Sequence, residues 1–439
     1  MTKSDSLAET NLFKPIKLGN VELSHRVVHA PTSRSRNHPS KYIITDIMLE
    51  YYKLRSRNPG TLIITESIMV SPETGLLPYK AGVWDYFQIR ALRKLTDVIH
   101  DQGSFVSVQL VGAGRTANIE KMERCEIPYI APSAIYHTET HRETAEKLGW
   151  HLAELTIDEI HEIQDHFVHA AVNCITRAGA DFVELHGTSG FLIEQFLSPL
   201  SNQRVDEYGG SVENRCRFLL EILDKCIAHP DIGAKKTAIR ISPWSTHNGM
   251  VYPGVVDYMA PDQFPPLEFC QYIMKQLELR KQNGSEIAYL SITEPRVTGS
   301  SDADPTGKSN DPLLQYWSGK IVRSGGYATN YKGDPFAIKS NAENLRVVDG
   351  RVMHYEALLH DVADDRTLIG FSRPFCSNPD LVSRLEHGYK LDMYDREFFY
   401  THCVKGYLDV GDYSNDYESN ELTLSEEELS REGIALDVL

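Results

Sequence analysis

Five residues in one short stretch can do chemistry. A run of apolar and acidic residues, Asp181-Phe182-Val183-Glu184-Leu185, ends on His186, and the loop Gly187-Thr188-Ser189-Gly190-Phe191 follows. The run reads as a buried strand. A histidine at the C-terminal end of such a strand sits where α/β barrels place their reactive groups, because the loops there form an open rim above a rigid core. Gln109 ends another apolar run, Phe105-Val106-Ser107-Val108-Gln109-Leu110. Buried amides are hydrogen-bonded, and this one carries both a donor and an acceptor to offer a ligand. Arg240 stands inside Ala238-Ile239-Arg240-Ile241. A cation there is costly unless paired, so it is either bridged to Glu66 or Glu184 or faces an anionic ligand atom. Arg323-Ser324-Gly325-Gly326 and Gly370-Phe371-Ser372-Arg373 end the last two apolar runs. Either they are tight turns or they hold a phosphate, with glycines admitting backbone N–H groups and Arg373 supplying charge.

These residues need a frame to position them. Apolar, β-branched runs recur at Arg26 to Ala30, Leu62 to Thr65, Phe105 to Leu110, Asp181 to Leu185, Ala238 to Ile241, Ile287 to Ile292, Ile321 to Arg323 and Thr367 to Gly370. Short continuous runs suit strands buried on both faces of a parallel sheet. Helical patterns lie between several of them. Thr156 with Glu159 makes a capping box for a helix whose inner face carries Ile160, Ile163, Phe167, Ala171 and Cys174. Ser211 can cap the next, with Val212, Cys216, Leu219, Leu220, Leu223 and Ile227 as its stripe. Eight strands alternating with helices predict an α/β fold, a (β/α)8 TIM barrel. Leu12 to Leu23 reads as a hairpin around Gly19-Asn20 that plugs the N-terminal mouth. The expected boundaries are a disordered leader over 1–10, a single barrel over 11–413 with loop insertions near 247–266 and 327–348, and a mobile acidic tail over 414–439, with a short helix near Leu424 to Arg431.

Composition narrows the partners. The chain has 439 residues, 41% hydrophobic and 24% charged, ordinary for a globular protein. A net charge of −16 argues against nucleic acid, which demands a basic footprint. No apolar run is long enough to span a bilayer. Seven scattered cysteines without a CxxC suggest free thiols in a reducing compartment. With a polar start and no peroxisomal or retention address at Asp437-Val438-Leu439, the cytosol is the expected location, and a monomer or homodimer the expected state. Two decoys are set aside. Gly112-Ala113-Gly114-Arg115-Thr116-Ala117 matches a dinucleotide fingerprint, but the chain continues into Glu123 to Pro128 without the required helix and acidic residue. His161, His166 and His169 share a helix without the spacing of a metal site and read as a solvated face.

The chain resembles the Old Yellow Enzyme family of flavin-dependent ene-reductases from about Asn11 to Tyr413, its fungal members above all. The resemblance rests on Leu12-Phe13-Lys14-Pro15, Pro59-Gly60-Thr61-Leu62-Ile63-Ile64-Thr65-Glu66, the Asn202 to Arg215 block, Glu294-Pro295-Arg296-Val297 and Ser377-Asn378-Pro379-Asp380-Leu381. It implies FMN at the C-terminal mouth and NADPH as electron donor. Gln109 and Arg240 would contact the flavin ring, Ser33 its O4 where the family has threonine, and Gly325, Gly326 and Arg373 the phosphate. Pro31, Ser67 and Ser372 would complete the cofactor site. His186 and its neighbour would bind a substrate carbonyl, with Tyr400 lining the pocket. The family usually reads His-x-x-(Asn or His)-Gly-Tyr at this loop. Here the second group is Ser189, and the tyrosine that protonates carbon is Phe191. Val111 stands for a bulky aromatic, and Ser67 and Ser372 each for a glycine. The implied reaction is hydride transfer from NADPH through FMN to activated alkenes or quinones.

Overall fold

A computed structural model describes residues 6–252, 264–328, 346–348, 351–353, 355–413 and 424–436. The chain enters through an antiparallel hairpin, β1 (Ile16–Leu18) and β2 (Val21–Leu23). Eight parallel strands follow: β3 (Val27–His29), β4 (Leu62–Ile64), β5 (Phe105–Val111), β6 (Phe182–Gly187), β7 (Thr237–Ile241), β8 (Tyr289–Thr293), β9 (Ile321–Ser324) and β10 (Thr367–Phe371). Each pairs with the next, and β10 pairs with β3, so the sheet closes. A helix of the outer layer follows each strand: α1 (Asp46–Ser56), α2 (Tyr86–His100), α3 (Ile157–Val172), α4 (Val212–Ala228), α5 (Pro265–Gln282), α6 (Asp311–Leu314), α7 (Tyr355–Asp361) and α8 (Leu381–His387), with shorter helices Ile119–Arg124, Glu139–Leu148, Leu192–Leu197 and Arg373–Ser377 in the connections. The eight apolar runs are the eight strands, and the fold is the expected (β/α)8 barrel.

Local chemistry explains the elements. Thr156 and Glu159 form the capping box of α3, and Ser211 caps α4 by accepting from Asn214 N–H. At the barrel base Val28, Leu62, Ile64, Phe182, Ala238, Tyr289, Val322 and Leu368 pack together with Ile16, Leu18 and Leu23 of the hairpin. The hairpin is therefore the barrel's floor. Gly19 at its turn has φ +52, and a Cβ there would lie 2.1 Å from the Lys235 carbonyl.

Four expected boundaries differ, one of them the end of the first insertion, since α5 already begins at Pro265. Leu7 of the leader is buried among Leu12, Leu381 and Leu385, with its N–H bonded to the Leu385 carbonyl. The tail is docked over 424–436. Its helix, Glu426–Ser430, carries a capping box, Arg431 pairs with Asp46, and the Asp46 and Ile434 backbones are tied at the start of α1. An acidic composition concealed these docking contacts. Tyr327 and Ala328 belong to the core, so the second insertion starts after them. The insertion residues 253–263 and 329–345 lie outside the described residues. No helix among the described residues is long and apolar enough to cross a membrane.

Candidate active site

Parallel pairing brings the strand ends to one rim and puts residues in register on the same face. His186 on β6 is in register with Arg240 on β7, and Glu184 one step below is in register with Gln109 on β5. Phe182, Glu184 and His186 alternate along β6, so the hydrophobic floor gives way to a buried carboxylate and then to an imidazole at the mouth. Gln109 Nε2 donates to Glu184 Oε1 at 2.6 Å, which fixes the amide. Arg240 is not bridged to Glu66 or Glu184 among the described residues; its Nη2 donates to Thr293 Oγ1 at 3.1 Å. Burial raises the Glu184 carboxyl, and the Arg240 charge and the Gln109 bond pull it back.

The rim encloses a cavity of about 580 Å3 lined by Pro31, Ser33, Ser67, Lys80, Gln109, His186, Ser189, Phe191, Arg240, Ser372, Arg373 and Tyr400, among others. A tighter recess of about 100 Å3 shares Pro31, Ser189, Arg240, Ser372 and Arg373 with it and adds Gly325 and Gly326. Thirteen of the fourteen sequence-predicted site residues therefore meet at one place. Val111 is the exception. It is in register with Met69 and lies in the apolar cluster of Leu76, Ala113 and Met122 against which Phe191 packs, so it backs the cavity and does not line it.

The loop after β6 is held from three sides. Ser189 and Gly190 both have positive φ, +61 and +71. Glu194 Oε2 accepts from Gly190 N–H at 2.5 Å, and Asn248 Nδ2 donates to the Ser189 carbonyl at 2.8 Å. Gln195 Nε2 donates to the carbonyls of Gly190 and Ala113, while its Oε1 accepts from Arg115 N–H. This staple accounts for the dinucleotide decoy: a Cβ on Gly114 would lie 2.2 Å from Gln195 Oε1. The glycines there serve packing. The His186 ring centroid lies 5.2 Å from that of Phe191. Burial, with Arg240 and Lys80 adding to it, holds the His186 imidazole well below its usual value, so it is neutral at pH 7. A neutral imidazole donates through one nitrogen and accepts through the other.

At the other end Gly325 and Gly326 have φ +113 and +76, and a Cβ on either would lie 2.8 Å from a side chain, Val297 or Arg296. The two glycines leave open backbone that no other residue would leave. Arg373 enters this recess already matched. It pairs with Asp302, which also takes Arg396, and its Nη2 donates to the carbonyls of Ser300 and Ser301. The Ser372 hydroxyl bonds Thr32 Oγ1 at 2.8 Å.

Sequence reasoning missed Lys80, from a loop without a motif, and Asp302, from the two-residue strand Ser301–Asp302 that pairs with Val297–Thr298. Glu184 had a signal, being a carboxylate two residues before His186 and so on the same face of the strand. His137, His141 and His247 also line the cavity and were not singled out. The helix histidines are elsewhere: His161 bonds the Tyr208 hydroxyl, and His166 lies beside Glu73.

His186 Nδ1, Thr188 Oγ1 and Arg240 Nε are buried on these walls without a partner among the described residues. Buried polar atoms are normally satisfied, so the walls are built for a polar ligand. A flavin mononucleotide fits them: polar ring edges for the amide and guanidinium, and a phosphate for the glycine recess.

The pattern of the NADH:flavin oxidoreductase / NADH oxidase family matches residues 11–353. The chain is 39% identical over 420 residues to a Candida albicans protein named probable NADPH dehydrogenase, covering 94% of this chain and 92% of that one. It is 39% identical over 413 residues to enoate reductase 1 of Kluyveromyces lactis, covering 93% and 95%. Among solved structures, the Old Yellow Enzyme from Pichia sp. AKU4542 matches with a TM-score of 0.83 and 37% identity, covering 98% of this chain and 100% of that one. With its closed barrel and its polar rim, the chain belongs to this family of FMN-dependent oxidoreductases, as an Old Yellow Enzyme.

Proposed function

We propose that this protein carries hydride from NADPH to α,β-unsaturated carbonyl compounds or quinones, small molecules admitted to the rim cavity. The observation that carries this reading is the pairing of a buried, neutral His186 with the phenyl ring of Phe191 in one cavity. When bound, FMN supplies the two-electron relay between donor and acceptor. Gln109, Arg240, Ser33, Ser67 and Pro31 would hold its ring, and Gly325, Gly326, Ser372 and Arg373 its phosphate end.

The chain's own groups divide the remaining work. His186 donates a hydrogen bond to the acceptor carbonyl and so polarises the conjugated bond, with Ser189 as a weaker second donor. Tyr400 and Phe191 shape the apolar wall. Phe191 cannot donate a proton, and general-acid catalysis is worth roughly 10²–10⁴-fold, so protonation of carbon falls to solvent here. Quinones need no proton on carbon and should be the faster acceptors. The seven free cysteines support a reducing compartment, the cytosol.

Purified protein that takes up FMN, is bleached anaerobically by NADPH and is reoxidised by quinones faster than by enones would support the whole reading. Protein that binds FMN but is not bleached would favour a flavin-binding relative with little turnover, and Phe191 is the residue that gives this second reading its weight. A single enone turned over far above the rest would instead mark a specialised biosynthetic reductase.

A further inference from the structure

Lys80 comes into the cavity from Leu77-Pro78-Tyr79-Lys80, a loop that no motif marked. Its position is built. Tyr79 just before it has φ +53, a left-handed conformation that costs a non-glycine residue about 1–2 kcal/mol. Two contacts hold that turn. Asn37 Nδ2 donates to the Tyr79 carbonyl at 3.2 Å, and the Tyr79 ring stacks on His402 with centroids 3.4 Å apart and planes 9° from parallel. His402 is fixed in turn by Nδ1 to the Ser35 carbonyl at 2.7 Å.

The ammonium ends between two hydroxyls, donating to Ser33 Oγ at 2.8 Å and to Ser67 Oγ at 2.7 Å. An ammonium has three donors, and the third finds no acceptor among the described residues. No carboxylate lies within ion-pair distance of Lys80 there. Glu66 is the opposing charge it feels, while burial lowers its affinity for the proton. Glu66 Oε2 is occupied by Asn37 Nδ2 at 3.3 Å. A part-buried cation hydrogen-bonded only by neutral hydroxyls, with Glu66 beyond ion-pair distance as its counter-charge, keeps much of its charge to offer a ligand. In the wall of a ligand cavity, the compensating electron density is the ligand's to supply. This also gives Ser67 a use: its hydroxyl is the second acceptor that fixes the ammonium.

We infer that Lys80 is a positioning cation for the cofactor: clamped by Ser33 and Ser67, it sets positive charge against the electron-rich carbonyl edge of the flavin and raises its reduction potential. The inference rests on the reading of Ser33 as a flavin-binding hydroxyl. No atom or electron passes through Lys80. It keeps its proton, and the two electrons of reduction arrive from NADPH as before. Positive charge beside the ring favours the more electron-rich reduced form over the oxidised one, which is a shift of potential and not a step.

The test is the midpoint potential of bound FMN, read by anaerobic dye equilibration in the wild-type holoenzyme and in Lys80→Met, Lys80→Arg and Ser67→Gly. Lys80→Met keeps the length of the side chain and removes its charge. Its expected effect is a tenfold loss of preference for reduced over oxidised FMN, about 30 mV downward for a two-electron couple. Affinity for oxidised FMN should change far less. Lys80→Arg should restore most of the shift, and Ser67→Gly, which loosens the clamp without removing charge, should give a smaller one in the same direction. If Lys80→Met does not fold, the Ser67→Gly shift decides alone. An unchanged potential with FMN still bound overturns the inference. So does an unchanged potential with weakened binding of phenolate ligands, since Lys80 would then serve the acceptor and not the cofactor. Wild-type protein that takes up no FMN would overturn the cofactor reading itself, a result visible before any variant is made.

Discussion

The two ends of the joined cavity are made of different material. The recess at Gly325 and Gly326 is built from backbone in positive-φ conformations, and its cation, Arg373, is already matched by Asp302. The wide end is built from side chains, and several of them are titratable: Lys80, His186, His137, His141 and His247. A backbone site tolerates few changes, because any Cβ collides with the wall. A side-chain site can change its chemistry by single substitutions while the barrel below it stays as it is. Of the two departures proposed to bear on reaction chemistry, Phe191 falls at the wide end and Ser189 where the two ends meet. On the proposed reading, the backbone of the recess serves the anion and the altered side chains serve the acceptor.

The sharpest way to break this contrast is Gly326→Val. The glycine has φ +76, and a Cβ would meet Arg296 at 2.8 Å, so the branched side chain closes the recess. FMN affinity should fall by more than roughly 100-fold, equivalent to about 2.7 kcal/mol, measured by flavin fluorescence on titrating the apoprotein. Near-normal affinity would show that the recess is not the phosphate site.

At the wide end, Phe191→Tyr should raise the rate of enone reduction by about 10- to 100-fold, below the upper limit of general-acid catalysis because Ser189 leaves the carbonyl loosely held. Flavin reduction by NADPH and reoxidation by quinone should stay within twofold or so, since neither needs a proton on carbon. Stopped-flow traces of the two half-reactions separate them. A flat enone rate would mean that water already protonates well, or that the natural acceptor is not an enone.

The contrast also governs what could be read in advance. All eight strands were legible because strands buried on both faces leave continuous apolar runs. The hairpin floor was legible from Gly19-Asn20. Arg240, Gln109 and His186 were legible as polar groups inside such runs, where burial makes them anomalous. Lys80 was not, since a lysine in a loop is the ordinary case and only the held turn at Tyr79 sends it inward. The docking of Leu7 and of 424–436 was hidden because scattered contacts, with α8 for Leu7 and with residues 44–46 and 403–405 for the tail, carry it without any periodic stripe. Val111 was misplaced because the alternation of β5 puts it on the inward face, whereas pairing with Met69 caps it in an apolar cluster.

A smaller effect is expected from His186→Ala. The imidazole is held neutral by burial and by the charges of Arg240 and Lys80, so the bond it gives a carbonyl or phenol oxygen is an ordinary one. Its loss should weaken phenol binding by about fivefold, near 1 kcal/mol, with FMN retained. The sign of the pH dependence follows from the depressed value. The native imidazole stays unprotonated where a free one, near 6.5, would take up a proton. The His186 contribution to phenol binding should therefore be constant from pH 8 down to about 6.5 and below. A protein with a protonated His186 would instead bind phenolate more tightly as pH falls through 6.5, and the charge-transfer band on titration distinguishes the two.

The smallest effect should come from Ser189→Asn, and it isolates the side chain from the loop that carries it. Ser189 has φ +61, a conformation that asparagine enters more readily than serine. The backbone there is fixed from outside, by Asn248 on the Ser189 carbonyl and by Glu194 and Gln195 on Gly190, so the exchange should leave the loop in place. The amide N–H₂ reaches further than a hydroxyl and gives the acceptor carbonyl a second firm donor beside His186. Enone and phenol affinity should rise about threefold, well under 1 kcal/mol, and the urea midpoint should rise slightly as strain at this position is relieved. The two readouts have separate causes. A higher midpoint with unchanged affinity would mean that residue 189 serves only the turn and that His186 alone holds the carbonyl. Tighter binding with an unchanged midpoint would mean that the strain was already absorbed by Asn248 and Glu194, and that the serine weakens this protein's grip on its acceptor for chemical reasons alone.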